Sequence, residues 1–280
     1  MKILIALLFT ISTVALAAPL EIKPISASPQ GFFVTSTLIS GEKDAVLIDG
    51  AFTLADAHRV VAAILDSKKN LTHVYVTHGH PDHSFGLTVI MAAFPNAKIV
   101  ALPSTVEEIK ATAKAKVAQW KPMYGANLTE SPVIPEVLKG DSIQLEGTAL
   151  TIVGPVQGDD SHNSYVWVPS QKALIAGDTV YNGVHVWTAE TKAATRKAWL
   201  ATLDKLAALK PEVVIAGHRV PDAKDDASAI ASTRDYLKAF DEAVASSKTA
   251  DEVFAKITAK YPALSLDVIA KIGSGAQFAK

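Results

Sequence analysis

The sequence predicts an α/β (α+β) fold in which two similar halves each contribute several strands followed by a helix. Two observations predict it. Short segments of β-like composition alternate with longer segments of helical spacing, and the same order returns in the second half of the chain. The 280 residues are 49% apolar and 20% charged, which allows a large core and excludes a disordered chain. Sheets covered by helices on both sides are the natural packing for such an order.

The first half begins with strands and ends with a helix. A helix is predicted over 53–66 because Leu54, Val60 and Ile64 fall on one face. Ser104, with Glu107 three residues later, has the pattern of a capping box and predicts a helix start. The predicted elements are strands at 21–25, 33–39 and 45–48, a helix at 53–66, a strand at 73–76, a helix at 87–93, a strand at 98–102 and a helix from Ser104 to about 119.

The second half repeats this order after an irregular segment. Residues 120–138 are rich in proline, glycine and polar side chains, so we expect a surface loop there that could act as a lid. The predicted elements that follow are strands at 142–145, 149–153, 165–168 and 173–176, a helix at about 191–209, a strand at 213–216, and helices at 222–246 and 250–260.

The first seventeen residues have the composition of a secretory signal peptide. Lys2 precedes an apolar run, and Ala15-Leu16-Ala17 is a small-x-small cleavage pattern. The alternative is a membrane anchor, but the run is short for one, since a spanning helix needs about 20 apolar residues. We therefore expect residues 1–17 to be removed and 18–280 to form one domain without a stable membrane anchor. The mature protein would be secreted, to the periplasm of a bacterium or the medium of a eukaryotic cell.

Charge and cysteine content narrow the chemistry. The 27 basic and 28 acidic residues give a net charge of −1, which argues against a nucleic-acid partner and leaves a small-molecule substrate as the expected ligand. The chain has no cysteine, so nucleophilic thiols and thiolate metal sites are excluded. Any metal must be bound by His, Asp or Glu.

Histidine and aspartate are concentrated directly after the strand predicted at 73–76. The run Thr77-His78-Gly79-His80-Pro81-Asp82-His83 places three imidazoles and a carboxylate within six residues. A turn at this point can direct His78 and His80 towards one metal ion and Asp82 and His83 towards a neighbouring one. These ligand types suit Zn²⁺, and Fe or Mn as well.

The H-x-H-x-D-H run after a strand resembles the signature of the metallo-β-lactamase superfamily. The resemblance covers essentially the whole mature chain and implies a four-layer αββα sandwich, a metallohydrolase activity and two Zn²⁺ per chain, with Fe or Mn as alternatives. It implies that Asp178, at the end of the strand 173–176, bridges the two metals. It also implies that His218 is the last ligand of the second metal. Asp49 is implied to orient the metal ligands without binding the metals itself.

The remaining ligand of the first metal should precede Asp178, and His162 is the candidate. The sequence departs from the family pattern here, because the expected histidine follows a glycine, whereas Gly158 is followed by Asp159. Asp159 and Asp160 therefore stay open as alternatives to His162.

A pair of such metals suits hydrolysis, with a metal-bridging hydroxide attacking a carbonyl and Asp82 shuttling the proton. Tyr181 follows Asp178 by three residues. The resemblance implies that a tyrosine near this offset points at the substrate carbonyl and stabilises an oxyanion, as in the lactonase branch, which favours a lactone, ester or cyclic amide as substrate. The alternatives are a β-lactamase, a non-catalytic metal-binding protein of the same fold and, more weakly, a nuclease. Other candidates are a pocket or structural role for His185 and an apolar pocket wall of Phe85, Trp120, Tyr124 and Trp187.

Overall fold

The computed structural model describes residues 19–279 of the chain, so the predicted signal peptide at 1–17 lies outside the described residues. Two β-sheets lie face to face, and helices cover the outer surface of each. The layer between the sheets is one buried apolar cluster that contains Tyr75 from the first sheet and Val166 from the second. This arrangement confirms the predicted αββα sandwich.

The first sheet has six strands in the order β1–β2–β3–β4–β5–β6, so each strand neighbours the next one in sequence. Its first three strands are antiparallel, and β3 to β6 run parallel. The strands are β1 (Glu21–Ser26), β2 (Thr35–Ser40), β3 (Asp44–Ile48), β4 (Asn70–Val76), β5 (Lys98–Ala101) and β6 (Glu136–Val137).

The second sheet has five strands in the order β12–β10–β9–β8–β7, and a separate pair, β11 and β13, lies beside the site described below. Within the five-stranded sheet, β10 and β12 are parallel and the other neighbours are antiparallel. The strands are β7 (Ser142–Leu145), β8 (Thr148–Val156), β9 (Asn163–Val168), β10 (Ala173–Ile175), β11 (Tyr181–Asn182), β12 (Val213–Ile215) and β13 (His218–Arg219).

The helices form the two outer layers. Apolar side chains of α1, α3 and α4 pack on the first sheet, and those of α5 to α8 pack on the second. Among residues 19–279, no helix is both long enough and apolar enough to cross a membrane. The helices are α1 (Leu54–Ser67), α2 (Pro81–Ser84), α3 (Leu87–Ala93), α4 (Pro103–Tyr124), α5 (Ala193–Ala208), α6 (Ser228–Ala245), α7 (Ala250–Lys260) and α8 (Asp267–Ala276).

Helix α4 differs from the prediction at both ends. It begins at Pro103, whose fixed φ suits the first helical position, and Ser104 makes no capping contact. It also continues to Tyr124, through the start of the segment predicted to be a loop. Trp120 and Tyr124, one helical turn apart, both contact Phe52, with ring centroids 5.6 and 4.8 Å away. This aromatic packing stabilises the last turn in spite of Pro122.

Helix α8 differs from the prediction, in which the last helix of the chain covers 250–260. Gly273 and Gly275 lie within it, and glycine lowers helix propensity by about 1 kcal/mol per residue relative to alanine. Buried contacts compensate for this cost: Ile269 is 4% exposed and Ala270 is completely buried. Packing on the rest of the domain therefore explains the helix.

Parallel strand pairs decide where functional side chains meet. In the first sheet, β3 and β4 end side by side and are followed by Asp49 and Thr77. In the second sheet, β10 and β12 end side by side and are followed, after short turns, by Asp178 and His218. Because the carboxyl ends of parallel strands lie at the same edge of their sheet, the loops that follow these strands gather at one edge of each sheet. The loops of the two sheets meet there.

Candidate metal centre and the cleft above it

The turn after β4 presents the histidine-rich run to the sheet edge. His80 precedes the short helix α2, in which Pro81 takes the first position and Asp82 and His83 form the first turn. Thr77 is fixed by Asp49, whose carboxylate accepts hydrogen bonds from the Thr77 amide at 2.8 Å and its hydroxyl at 2.9 Å. Asp49 itself has a φ of +63°, an uncommon value for a non-glycine residue that is typical of constrained functional turns.

A first group of possible metal ligands contains His78, His80, Asp159 and Asp178. One potential ligand atom from each lies within 4.8 Å of the others, and all four residues are buried. His80 Nδ1 is 3.1 Å from Asp159 Oδ2, and His78 Nε2 is 3.9 Å from Asp178 Oδ2. Two imidazoles and two carboxylates form a donor set that suits a divalent metal ion.

A second group contains Asp82, His83 and His218, and it meets the first group at Asp178. His83 Nε2 lies 3.2 Å from Asp178 Oδ1, and His218 Nε2 lies 3.1 Å from Asp178 Oδ2. Gly217 allows this approach, because a Cβ there would lie 2.1 Å from Asp178 Oδ1. Asp178 therefore has the position expected of a carboxylate shared by two metals.

The polar atoms of these groups fit bound cations. His78 Nε2, His83 Nε2 and Asp178 Oδ1 are buried and make no hydrogen bond within the described residues. Leaving a buried polar atom without a partner costs about 1–3 kcal/mol, and more for a charged group. Coordination of a divalent ion would satisfy all three atoms, and it would also neutralise the carboxylates of Asp82, Asp159 and Asp178.

In His78, His83 and His218, Nδ1 faces away from the site and has its own partner. His83 Nδ1 donates to Asp49 Oδ2 at 2.8 Å, and His218 Nδ1 donates to the carbonyl oxygen of Phe32 at 2.7 Å. His78 Nδ1 lies 3.0 Å from the Thr77 hydroxyl. Such partners fix the ring orientation and leave Nε2 free to coordinate a metal. The predicted supporting role of Asp49 has the geometry it requires.

Buried charges strongly perturb one another here. Burial disfavours a charged imidazole, but the carboxylates of Asp178 and Asp82 together outweigh burial and raise the pKa of His218. At Asp159, by contrast, burial dominates and raises the pKa of the carboxyl group. A nearby cation would favour the ionised form of Asp159.

The structure does not bring His162 into either group. Its side chain is 46% exposed, and its Nδ1 lies 3.5 Å from Glu108 Oε2. The cause is a tight turn: the His162 amide donates to Asp160 Oδ1 at 2.7 Å, and the Asn163 side chain donates to both Asp159 and Asp160. This turn directs Asp159 inwards and His162 outwards. The position expected for His162 is thus taken by Asp159, one of the two alternatives.

Tyr181, predicted to stabilise an oxyanion, directs its hydroxyl group at the carboxylates of Asp178 and Asp159. Its hydroxyl donates to Asp178 Oδ2 at 2.6 Å, and its ring stacks on His218 with centroids 5.2 Å apart. The side chain is buried behind the carboxylates. His185 also lies apart from both groups, with its Nδ1 3.0 Å from the Tyr236 hydroxyl. Both side chains are thus buried and hydrogen-bonded to neighbouring side chains.

A cleft opens above the two groups and is lined by Asp82, Asp159, Asp178 and His218 among others. Two of the four aromatic residues predicted for the wall, Trp120 and Trp187, line the cleft. The other two, Phe85 and Tyr124, do not line it and pack against Phe52. Several other residues of the cleft wall cannot be recognised from the sequence, because nothing in their type or spacing connects them with the histidine run. They are Phe32, Phe52, Lys116, Glu190, Ile269 and Ile272.

The αββα sandwich, with His and Asp side chains at the shared strand edge, defines the class of metallo-β-lactamase-fold hydrolases. Residues 29–218 match the family model of the metallo-β-lactamase superfamily, and the chain belongs to this superfamily. The match covers the histidine run, Asp159, Asp178 and His218, and ends before α6.

Solved structures share the fold at low sequence identity. A metallo-β-lactamase family protein from Thermus thermophilus is 20% identical, with a TM-score of 0.65 over 92% of this chain and 91% of that chain. A metallo-β-lactamase from Pontibacter korlensis is 20% identical, with a TM-score of 0.58 over 80% and 97%. A stereoselective inverting sec-alkylsulfatase from Pseudomonas sp. is 18% identical, with a TM-score of 0.56 over 79% and 42%. No curated protein sequence matches the chain significantly.

Proposed function

We propose that this superfamily hydrolase is an exported enzyme that uses two metal ions to cleave a lactone, an ester or a cyclic amide. One observation carries the proposal: a largely apolar cleft ends at two adjoining groups of buried ligands that share Asp178. Export rests on the signal-peptide pattern of residues 1–17. A concave, mostly apolar cleft with a few convergent polar groups is typical of sites for small molecules.

The first ion would be held by His78, His80, Asp159 and Asp178, and the second by Asp82, His83, His218 and Asp178. Zn²⁺, Fe and Mn all suit a set of imidazole and carboxylate donors. When bound, such ions acidify water to a pKa of about 7 and polarise the oxygen of the substrate carbonyl.

Asp82 is the residue best placed to move a proton. It lines the cleft, and 17% of its side-chain surface is exposed, which is more than for Asp159 or Asp178. Its Oδ2 lies 3.2 Å from His218 Nε2. Burial opposes ionisation, but His83 and His218 outweigh it and lower the pKa of the Asp82 carboxyl group. The carboxylate is therefore ionised near neutral pH, which is the form that accepts a proton from water and returns it to the leaving group, although the lowered pKa weakens it as a base.

The charges of the cleft favour an uncharged substrate. Apart from histidines, Lys116 is the only basic side chain that lines the cleft within the described part of the chain, and its Nζ lies 3.7 Å from Glu190 Oε1. A β-lactam antibiotic carries a carboxylate, for which a free cation is the natural partner. Because Lys116 is already paired with Glu190, the cleft favours uncharged lactones and esters. The same lysine lines the cleft and could bind a carboxylate if it were released from Glu190, and this observation supports β-lactamase activity as the second candidate.

A substrate panel on the zinc-loaded mature protein tests the proposal. We expect two metal equivalents and hydrolysis of γ-lactones or aryl esters at a kcat/KM well above that for a chromogenic cephalosporin. The Asp82→Asn variant provides the control for contaminating esterases, and its activity should fall at least 100-fold, in line with general acid–base catalysis. A preference for the cephalosporin would favour the second candidate. Less than one metal equivalent after refolding with Zn²⁺ would contradict the hydrolase and support a non-catalytic protein.

A further inference from the structure

Helix α8 forms one wall of the cleft although it lies outside the region that matches the superfamily. Ile269 and Ile272 project into the cleft from this helix, and Lys116 and Trp120 line it from α4. Ile272 keeps 41% of its surface exposed, so its apolar side chain remains available for contact. The metal ligands and the C-terminal wall thus come from different parts of the chain.

The wall is fixed to the loop that follows β11. The Ser265 amide donates to the Gly183 carbonyl at 3.0 Å, and the His185 amide donates to the Ser265 carbonyl at 2.9 Å. Gly273 packs directly on Thr188, where a Cβ would lie 2.3 Å from the Thr188 hydroxyl oxygen. These contacts hold α8 against the same loop that carries Trp187. The position of Ile272 above the site is therefore built into the fold.

Most of the cleft wall is apolar, and its two charged residues outside the ligand groups, Lys116 and Glu190, pair with each other. Ile269, Ile272 and Trp187 offer no side-chain charge, and Phe32 and Trp120 line the same cleft. We propose that this surface is a subsite for an uncharged alkyl or aryl group of several carbons, attached to the ester or lactone that is cleaved, and that Ile272 helps to set the preferred chain length. This inference rests on the proposed function.

A series of p-nitrophenyl esters from acetate to decanoate tests the subsite in the metal-loaded enzyme. Each methylene that the cleft buries should raise kcat/KM about fourfold, until the cleft is filled. In Ile272→Ser, the ratio of kcat/KM for octanoate to that for acetate should fall about tenfold, since most of the side chain is removed. Val268→Ser is the matched control, because Val268 is 50% exposed on the same helix and does not line the cleft. Its ratio should equal that of the wild type.

Binding of n-alkanols, which are uncharged, separates this inference from the proposed function. Their affinity can be followed through tryptophan fluorescence even if no ester is cleaved, since Trp120 and Trp187 line the cleft. Tighter binding of longer chains, weakened by Ile272→Ser and not by Val268→Ser, would support the subsite without any hydrolysis. Hydrolysis of esters with no dependence on chain length, or equal effects of the two variants, would overturn the subsite and leave the proposed hydrolase intact.

Discussion

Removal of Asp159 should cost the protein a metal ion, whereas removal of His162 should not. Asp159 is completely buried and places Oδ2 3.1 Å from His80 Nδ1. His162 is 46% exposed and faces Glu108. The two residues lie three positions apart in one loop, so Asp159→Ala and His162→Ala are a matched pair that separates the ligand from its sequence neighbour.

The expected magnitude follows from these positions. Carboxylates that only orient a ligand are worth about 10–100-fold in metal affinity. Asp159 belongs to the ligand group itself, so Asp159→Ala should weaken the first site by at least about 100-fold, which is about 2.7 kcal/mol. His162→Ala changes a surface residue and should alter stability by no more than about 0.5 kcal/mol. The loop should survive both changes, because Asn163 Nδ2 still donates to Asp160 Oδ1 at 2.9 Å.

Metal content after dialysis against a weak chelator, followed by chelator competition, measures the difference. We expect two equivalents in the wild type and in His162→Ala, and about one in Asp159→Ala. Asp159→His should retain two, because an imidazole replaces the lost carboxylate as a ligand. Two equivalents in Asp159→Ala together with one in His162→Ala would refute the assignment of Asp159.

Three further outcomes test the surroundings of the site. Asp49→Asn removes the acceptor of the His83 Nδ1 proton and should weaken metal binding by about 10–100-fold in chelator competition, while an unchanged affinity would contradict its supporting role. Tyr181→Phe should lower kcat by less than tenfold in steady-state kinetics; a loss of about 100–1000-fold at unchanged metal content would instead indicate an oxyanion donor. Burial outweighs Asp267 and lowers the pKa of His185, so the unfolded chain binds more protons and stability falls as pH drops through 6.5. His185→Gln should lose less stability than the wild type between about pH 7.5 and 5.5 in urea unfolding of the chelated proteins, and equal losses would exclude this origin.

The centre of the site could be predicted because its side chains follow strands. His78, Asp178 and His218 each come directly or within three residues after a buried strand, and the strand ends are brought together by the sheets. The hydrophobic pattern locates such strands, so it also locates the residues that follow them. The αββα layers were predictable for the same reason.

The choice between Asp159 and His162 depended on a turn that periodicity does not describe. Hydrogen bonds from the Asn163 side chain and the His162 amide decide which residue points inwards. Both residue types can bind metals, and both lie close to the expected position. Only the conformation of the loop distinguishes them.

The apolar wall of the cleft was harder to predict for a different reason. A metal site requires particular ligand atoms at fixed positions, so its residues are recognisable by type and spacing. An apolar wall requires only surface area, which many side chains supply from any nearby element. Ile272 is of a residue type common in any helix, and packing contacts such as that between Gly273 and Thr188 place it above the candidate metal centre. The residues proposed to set substrate preference are therefore defined by packing, whereas most of the proposed metal ligands are defined by sequence pattern.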